Sequence, residues 1–159
     1  MGVPELITRM QEIYRRAEAQ LQHVEPLERS GAAWSGTAKG LADTSALLRR
    51  TGGEVAPGWP DEVGALYTER LAKSAETVRM WEDTLAAADL PATVTALAEA
   101  IKTTVDGVRE LWNTFVQAIG QLGIVGIDAA SVEAALQGIV DRAAALLEQL
   151  DQRFAEAAA

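Results

Sequence analysis

The chain has 159 residues and a net charge of −9, with 10 basic and 14 acidic side chains in residues 1–90 and 4 and 9 in residues 91–159. That length fits one domain, and two acidic parts offer no cationic footprint for a phosphate backbone, which argues against nucleic-acid binding. The absence of cysteine excludes disulfides, thiolate chemistry and Cys-ligated zinc, while 48% hydrophobic but only 5% aromatic residues predict a core of Ala, Leu, Val and Ile on helices.

The opening Met1-Gly2-Val3-Pro4-Glu5-Leu6 has neither the basic segment nor the apolar run of a cleaved signal peptide. Leu6 also stands where a myristoylated chain carries Ser or Thr. No apolar run approaches the roughly 18–20 residues that span a bilayer.

A first helix is predicted from Pro4, with Leu6, Met10, Ile13, Ala17, Leu21 and Val24 on one face at near coiled-coil spacing. Pro26 is expected to kink or stop it. A turn is then expected at Trp34-Ser35-Gly36, followed by a shorter helix over Gly36–Arg50 that faces inward through Ala38, Leu41, Ser45 and Leu48. Gly52-Gly53 and Pro57-Gly58-Trp59-Pro60 read as helix breakers.

Pro60-Asp61-Glu62 suits the first turn of a third helix, whose predicted seam is Val63, Tyr67, Leu71, Ser74, Val78, Trp81, Leu85 and Ala88. At about 28 residues that helix would be roughly 42 Å long, twice the second, so part of its seam needs another cover. Asp89-Leu90-Pro91 ends it. A fourth helix follows with Val94, Leu97, Ile101, Val105, Val108, Trp112, Phe115 and Ile119 on its face. Residues 120–127 form an apolar connection punctuated by Gly120, Gly123 and Gly126, expected to be a buried turn, with a membrane-inserting tip as the alternative. Asp128 is placed to cap a last helix facing inward through Val132, Leu136, Ile139, Ala143, Leu146, Leu150 and Phe154. The fold class is all-α: one domain, an elongated antiparallel bundle of four to five helices, with residues 91–159 as a C-terminal hairpin.

Trp34-Ser35-Gly36 matches the Trp-x-Gly turn of the WXG100 family, the helical hairpins handled by type VII (ESX-like) secretion in actinobacteria and other Gram-positive bacteria. The chain resembles that family over residues 1–90. Trp59 has Asp61 instead of Gly at the third place, yet Gly64 and Tyr67 stand where the family usually has Ala and Phe. The resemblance implies a Trp packed at a hairpin turn, a helical partner in a homo- or heterodimer, contact with type VII machinery, and export without a cleaved leader from a cytoplasmic pool. Val63, Tyr67, Leu71, Val78, Trp81 and Leu85 then form the partner-facing seam. Tyr14 and Glu18 match the Tyr-x-x-x-Asp/Glu secretion signal, although the family places it near the end of a hairpin and not in the first helix.

Chemistry has little to stand on. His23 is the single histidine, Asp61-Glu62 and Glu82-Asp83 read as solvated carboxylates, and the glycine spacing is neither a P-loop nor a dinucleotide fingerprint. No catalytic, cofactor-binding or metal-ligating residue is assigned. The expected function is protein–protein interaction by helix packing, as a secreted substrate or the targeting module of a larger effector. An intracellular adaptor bundle and a membrane-active helical protein remain open.

Overall fold

A computed structural model describes residues 2–59, 61–124, 126 and 128–158; Pro60, Val125 and Ile127 of the predicted turns lie outside them. The described residues are helical, with no strand among them: α1 (Val3–Gln20), a 3-10 turn (Leu21–His23), α2 (Val24–Gly58), α3 (Glu62–Ala88), α4 (Leu90–Gly120) and α5 (Ala129–Ala158). They divide into two compact units, residues 1–28 with 95–159, and residues 29–94. The first helix therefore groups with the C-terminal pair, not with the rest of residues 1–90.

In the first unit α1, α4 and α5 enclose one core. α1 contributes Leu6, Met10, Ile13 and Ala17, α4 contributes Ile101, Val105, Val108 and Phe115, and α5 contributes Val132, Leu136, Ile139, Val140, Ala143, Leu147 and Leu150. These are largely the positions that the periodicity selects, because a helix with an apolar residue every three or four positions has one stripe to bury. Surface ion pairs show the register. Arg9–Asp141 and Arg16–Asp151, each 3.8 Å, set α1 parallel to α5, while Glu18–Arg109 together with the Tyr14–Trp112 ring contact sets it antiparallel to α4. Exposed pairs contribute only about 0–1 kcal/mol each, so they report the alignment that the core imposes.

The first helix is interrupted just ahead of Pro26, as expected. The chain tightens into the 3-10 turn at Leu21–His23, and Pro26 sits in the first turn of α2, where its missing N–H breaks no internal hydrogen bond. There is no turn at Trp34-Ser35-Gly36: α2 runs through it, and through Gly52-Gly53, for 35 residues. Glycine lowers helix propensity by about 1 kcal/mol but does not by itself end a helix. A reversal needs a residue in a turn conformation, and the glycines with positive φ among the described residues are Gly123 and Gly126. Thr37 Oγ donates to Ala33 O at 3.1 Å across the tripeptide, a bond of continuous helix.

The real reversal follows Pro57-Gly58. Asp61 caps α3, its Oδ1 accepting from Gly64 N at 2.9 Å. α3 ends on Asp89 in the left-handed conformation (φ 46°), and α4 starts at the next residue with Pro91 in its first turn. By length and composition a window of mean hydropathy 1.2 within Glu62–Gly120 is apolar enough to cross a membrane, which the apolar runs read singly do not predict; Asp89 interrupts the helix in that range. Asp128 caps α5 as expected, accepting from Ala130 N at 3.1 Å and Ser131 Oγ at 3.0 Å.

The described residues between α4 and α5 do not form a buried turn. Leu122 is half-buried, but Ile124 is 52% exposed, because the two positive-φ glycines let the chain reverse at the surface without packing. Urea unfolding should therefore separate two substitutions. Phe115→Ala, at a fully buried ring, should cost about 3–5 kcal/mol. Ile124→Asp should change stability by less than about 0.5 kcal/mol.

Candidate interaction surface

Within residues 29–94, α2 and α3 form an antiparallel pair reversing near Trp59. A Cβ placed on Gly52 would lie 3.9 Å from Leu71 Cβ, and the Trp59 and Tyr67 rings are 6.1 Å apart, tilted by 40°. Gly64 makes that turn possible. A Cβ there would lie 1.9 Å from the Trp59 carbonyl oxygen and 2.8 Å from Trp59 Cγ. The small residue is imposed by the tryptophan backbone and ring, while Tyr67 packs from the next turn of α3.

The side of α3 against α2 carries Gly64, Thr68, Leu71, Ala75, Val78, Glu82 and Leu85, alternating steps of four and three residues. The predicted seam is split by this geometry. Leu71, Val78 and Leu85 are half-buried on the inner line, but Val63, Tyr67 and Trp81 are 58%, 47% and 59% exposed. Small residues decide the contact, because Gly64 and Ala75 let the helices approach and so turn the larger side chains outward. Among the described residues of 29–94 only Gly31, Ser45, Gly64 and Ala75 are buried. The Ser45 hydroxyl has no hydrogen-bond partner, so even this thin interior is imperfectly satisfied.

What α3 exposes is a second line, apolar at Val63, Leu66, Tyr67, Trp81 and Ala88, with Arg70, Ser74, Thr77 and Thr84 between them. Thr77 and Thr84 donate to Lys73 O at 3.0 Å and Met80 O at 2.8 Å, so their hydroxyls are engaged by their own helix. Eight of the ten exposed large apolar side chains among the described residues belong to residues 29–94. That concentration is unlike the single exposed hydrophobics scattered over ordinary surfaces.

Trp34 lies mid-helix and is 38% exposed. With Leu41 it lines a groove of about 410 Å³ shared with Trp81, Leu85, Ala88 and Leu90. The spacing Trp34, Thr37, Leu41 on one helix and Trp81, Thr84, Leu85, Ala88 on the other carried this signal, which a turn reading of Trp34 concealed. Ser35 and Gly36 are exposed, and a Cβ on Gly36 would meet nothing within 4 Å, so no close approach explains that glycine.

Tyr14 and Glu18 sit in the other unit. Tyr14 is half-buried with its ring 5.1 Å from Trp112, and Glu18 accepts two hydrogen bonds from Arg109, one of 2.9 Å from Nη2. The Arg109 hydrogen bonds hold the Glu18 carboxyl below its ordinary value, partly opposed by desolvation, with smaller help from the Arg109 charge and a Tyr14 hydrogen bond. Among the described residues no group of three or more His, Cys, Asp or Glu side chains is placed to hold a metal ion. Comparison of the chain with protein-family models, with curated proteins and with solved structures returns no match in any of the three.

Two measurements follow from this geometry. Gly64→Ala should distort the α2–α3 turn and change the environments of Trp59 and Tyr67, read as altered aromatic near-ultraviolet dichroism; an unchanged spectrum would contradict the close approach. A carboxyl depressed on folding adds stability above its unfolded pKa and loses it as pH falls through the folded one. Glu18→Gln should therefore destabilise the chain at neutral pH, with the difference from the parent shrinking as pH falls below the ordinary carboxylate range.

Proposed function

We propose that the chain is a WXG100-like, type VII secretion-associated protein that acts by packing its α2–α3 hairpin against a helical partner, as a secreted substrate or as the targeting module of a larger effector. The observation that carries this reading is the turn at Trp59, where Gly64 is sterically required and Tyr67 packs on the ring, beside an outward apolar stripe along α3. The resemblance therefore rests on Trp59 and residues 29–90, with Trp34 reassigned from a turn to the groove it shares with Trp81. An antiparallel helical bundle completed by a partner's helices, and export without a cleaved leader from the cytoplasm, belong to the same proposal.

Burying a large side chain such as Val63, Tyr67 or Trp81 contributes about 1.5–3 kcal/mol each, and a few such anchors dominate a typical interface. A partner helix that is itself apolar along one stripe supplies the cover the hairpin lacks. The same surface would serve an intracellular adaptor, a reading favoured by the ordinary mid-helix placement of Ser35-Gly36.

Export separates the two. In the native cell the chain should reach the medium and should remain inside when the type VII ATPase is deleted; unchanged export, or none in the parent strain, overturns the secretion reading. Val63→Glu combined with Trp81→Glu should abolish co-purification of a helical partner while leaving the melting temperature nearly unchanged, since both side chains are exposed.

A further inference from the structure

Part-way along the hairpin, α2 and α3 line a cleft of about 540 Å³, within the range of sites for small organic ligands and too small for a helix about 10–12 Å across. Its lining is mixed. Leu48, Ala72 and Ala75 supply apolar wall, and Thr68 adds a side chain whose hydroxyl already donates to Gly64 O at 2.9 Å. Gly53 opens the cleft on the α2 side: a Cβ there would meet nothing within 4 Å, so the space a side chain would occupy is empty.

Two guanidinium groups line the same cleft, Arg49 from α2 and Arg79 from α3. Neither forms an ion pair among the described residues, although acidic side chains outnumber basic ones 23 to 14 in this chain. Arginine presents planar forked donors that match a carboxylate, and two of them drawn from facing helices can share one such group. Glu76 also lines the cleft and is likewise unpaired, so the balance is two cations to one anion. One negative charge brings the lining to neutrality.

From this juxtaposition we propose that the cleft binds a monoanionic amphiphile, its carboxylate held between Arg49 and Arg79 and its aliphatic body against Leu48, Ala72 and Ala75. The site stands independently of the secretion reading, since it uses the space between α2 and α3 and not the outward stripe of α3.

The test is calorimetric titration of the full chain with dodecanoate below its critical micelle concentration, with amide NMR spectra recorded in parallel. Saturable binding of one dodecanoate per chain is expected, with the Gly52 and Gly53 amide resonances among those shifted most. Dodecanol, which lacks the charge, and butyrate, which lacks the body, should each bind at least about tenfold more weakly. Arg49→Gln and Arg79→Gln should each lower dodecanoate affinity about tenfold, as expected for one charge-assisted hydrogen-bond partner. Both side chains are exposed, so these variants should keep the parent's helical dichroism. Gly53→Leu should fill the cleft and remove binding by another route. The proposal is overturned if dodecanoate does not bind, if dodecanol binds as well, or if the double arginine variant keeps the parent affinity.

Discussion

Two helices cannot enclose a core. Each buries one line of side chains against the other and leaves the flanks of that line in water, whereas a third helix closes the flanks. Both situations occur in this chain. Around α1, α4 and α5 the interior holds Phe115, Leu6, Met10, Ile101 and Leu136 with no more than a trace of exposure. Within residues 29–94 the buried residues described are glycine, serine and alanine, Leu71, Val78 and Leu85 are only half-buried, and Val63, Leu66, Tyr67, Met80 and Trp81 are exposed. The Trp59 turn, the outward stripe and the cleft between the helices are three consequences of that one constraint.

Close approach sets the details. Gly64 brings α3 against the Trp59 backbone, and Ala75 keeps the inner line thin further along. Larger residues in those places would have filled the space between the helices and rotated α3. Instead Val63, Tyr67 and Trp81 stay about half exposed, Tyr67 beside the Trp59 ring and Trp81 in the groove with Trp34, which leaves their open faces available for association. Beside the contact of Gly52 with Leu71 the two helices leave an open cleft bordered by two unpaired arginines. The Ser45 hydroxyl, buried without a partner, belongs to the same sparsely packed contact.

Much of this was readable from residue order, and the failures have physical causes. The faces of α4 and α5 followed from periodicity because each helix has one broad apolar stripe and a full core to meet. Asp128 is readable as a cap because a short carboxylate before a helix has free N–H groups in reach, whereas Asp61, expected inside the first turn of α3, is the residue that caps it. The seam of α3 was only half right, since large apolar residues attract attention while glycine and alanine decide where two helices touch. Trp34-Ser35-Gly36 was read as a turn from composition, yet the flanking alanines and the absence of proline let the helix continue. Periodicity also names a face without naming what it meets, so the pairing of α1 with the C-terminal helices was not legible. Tyr14 and Glu18 looked like a linear signal, and their contacts with Trp112 and Arg109 came from a helix about ninety residues away.

The unequal packing of the two units is most directly tested by native-state hydrogen exchange on the chain alone. Amides of α1, of α5 and of α4 beyond Thr95 should exchange only through global unfolding, while those of α2 beyond Arg29 and of α3 should exchange through a separate opening of much lower free energy. Uniform protection across all five helices would contradict the account, because it would require the α2–α3 hairpin to be as well packed as the three-helix core.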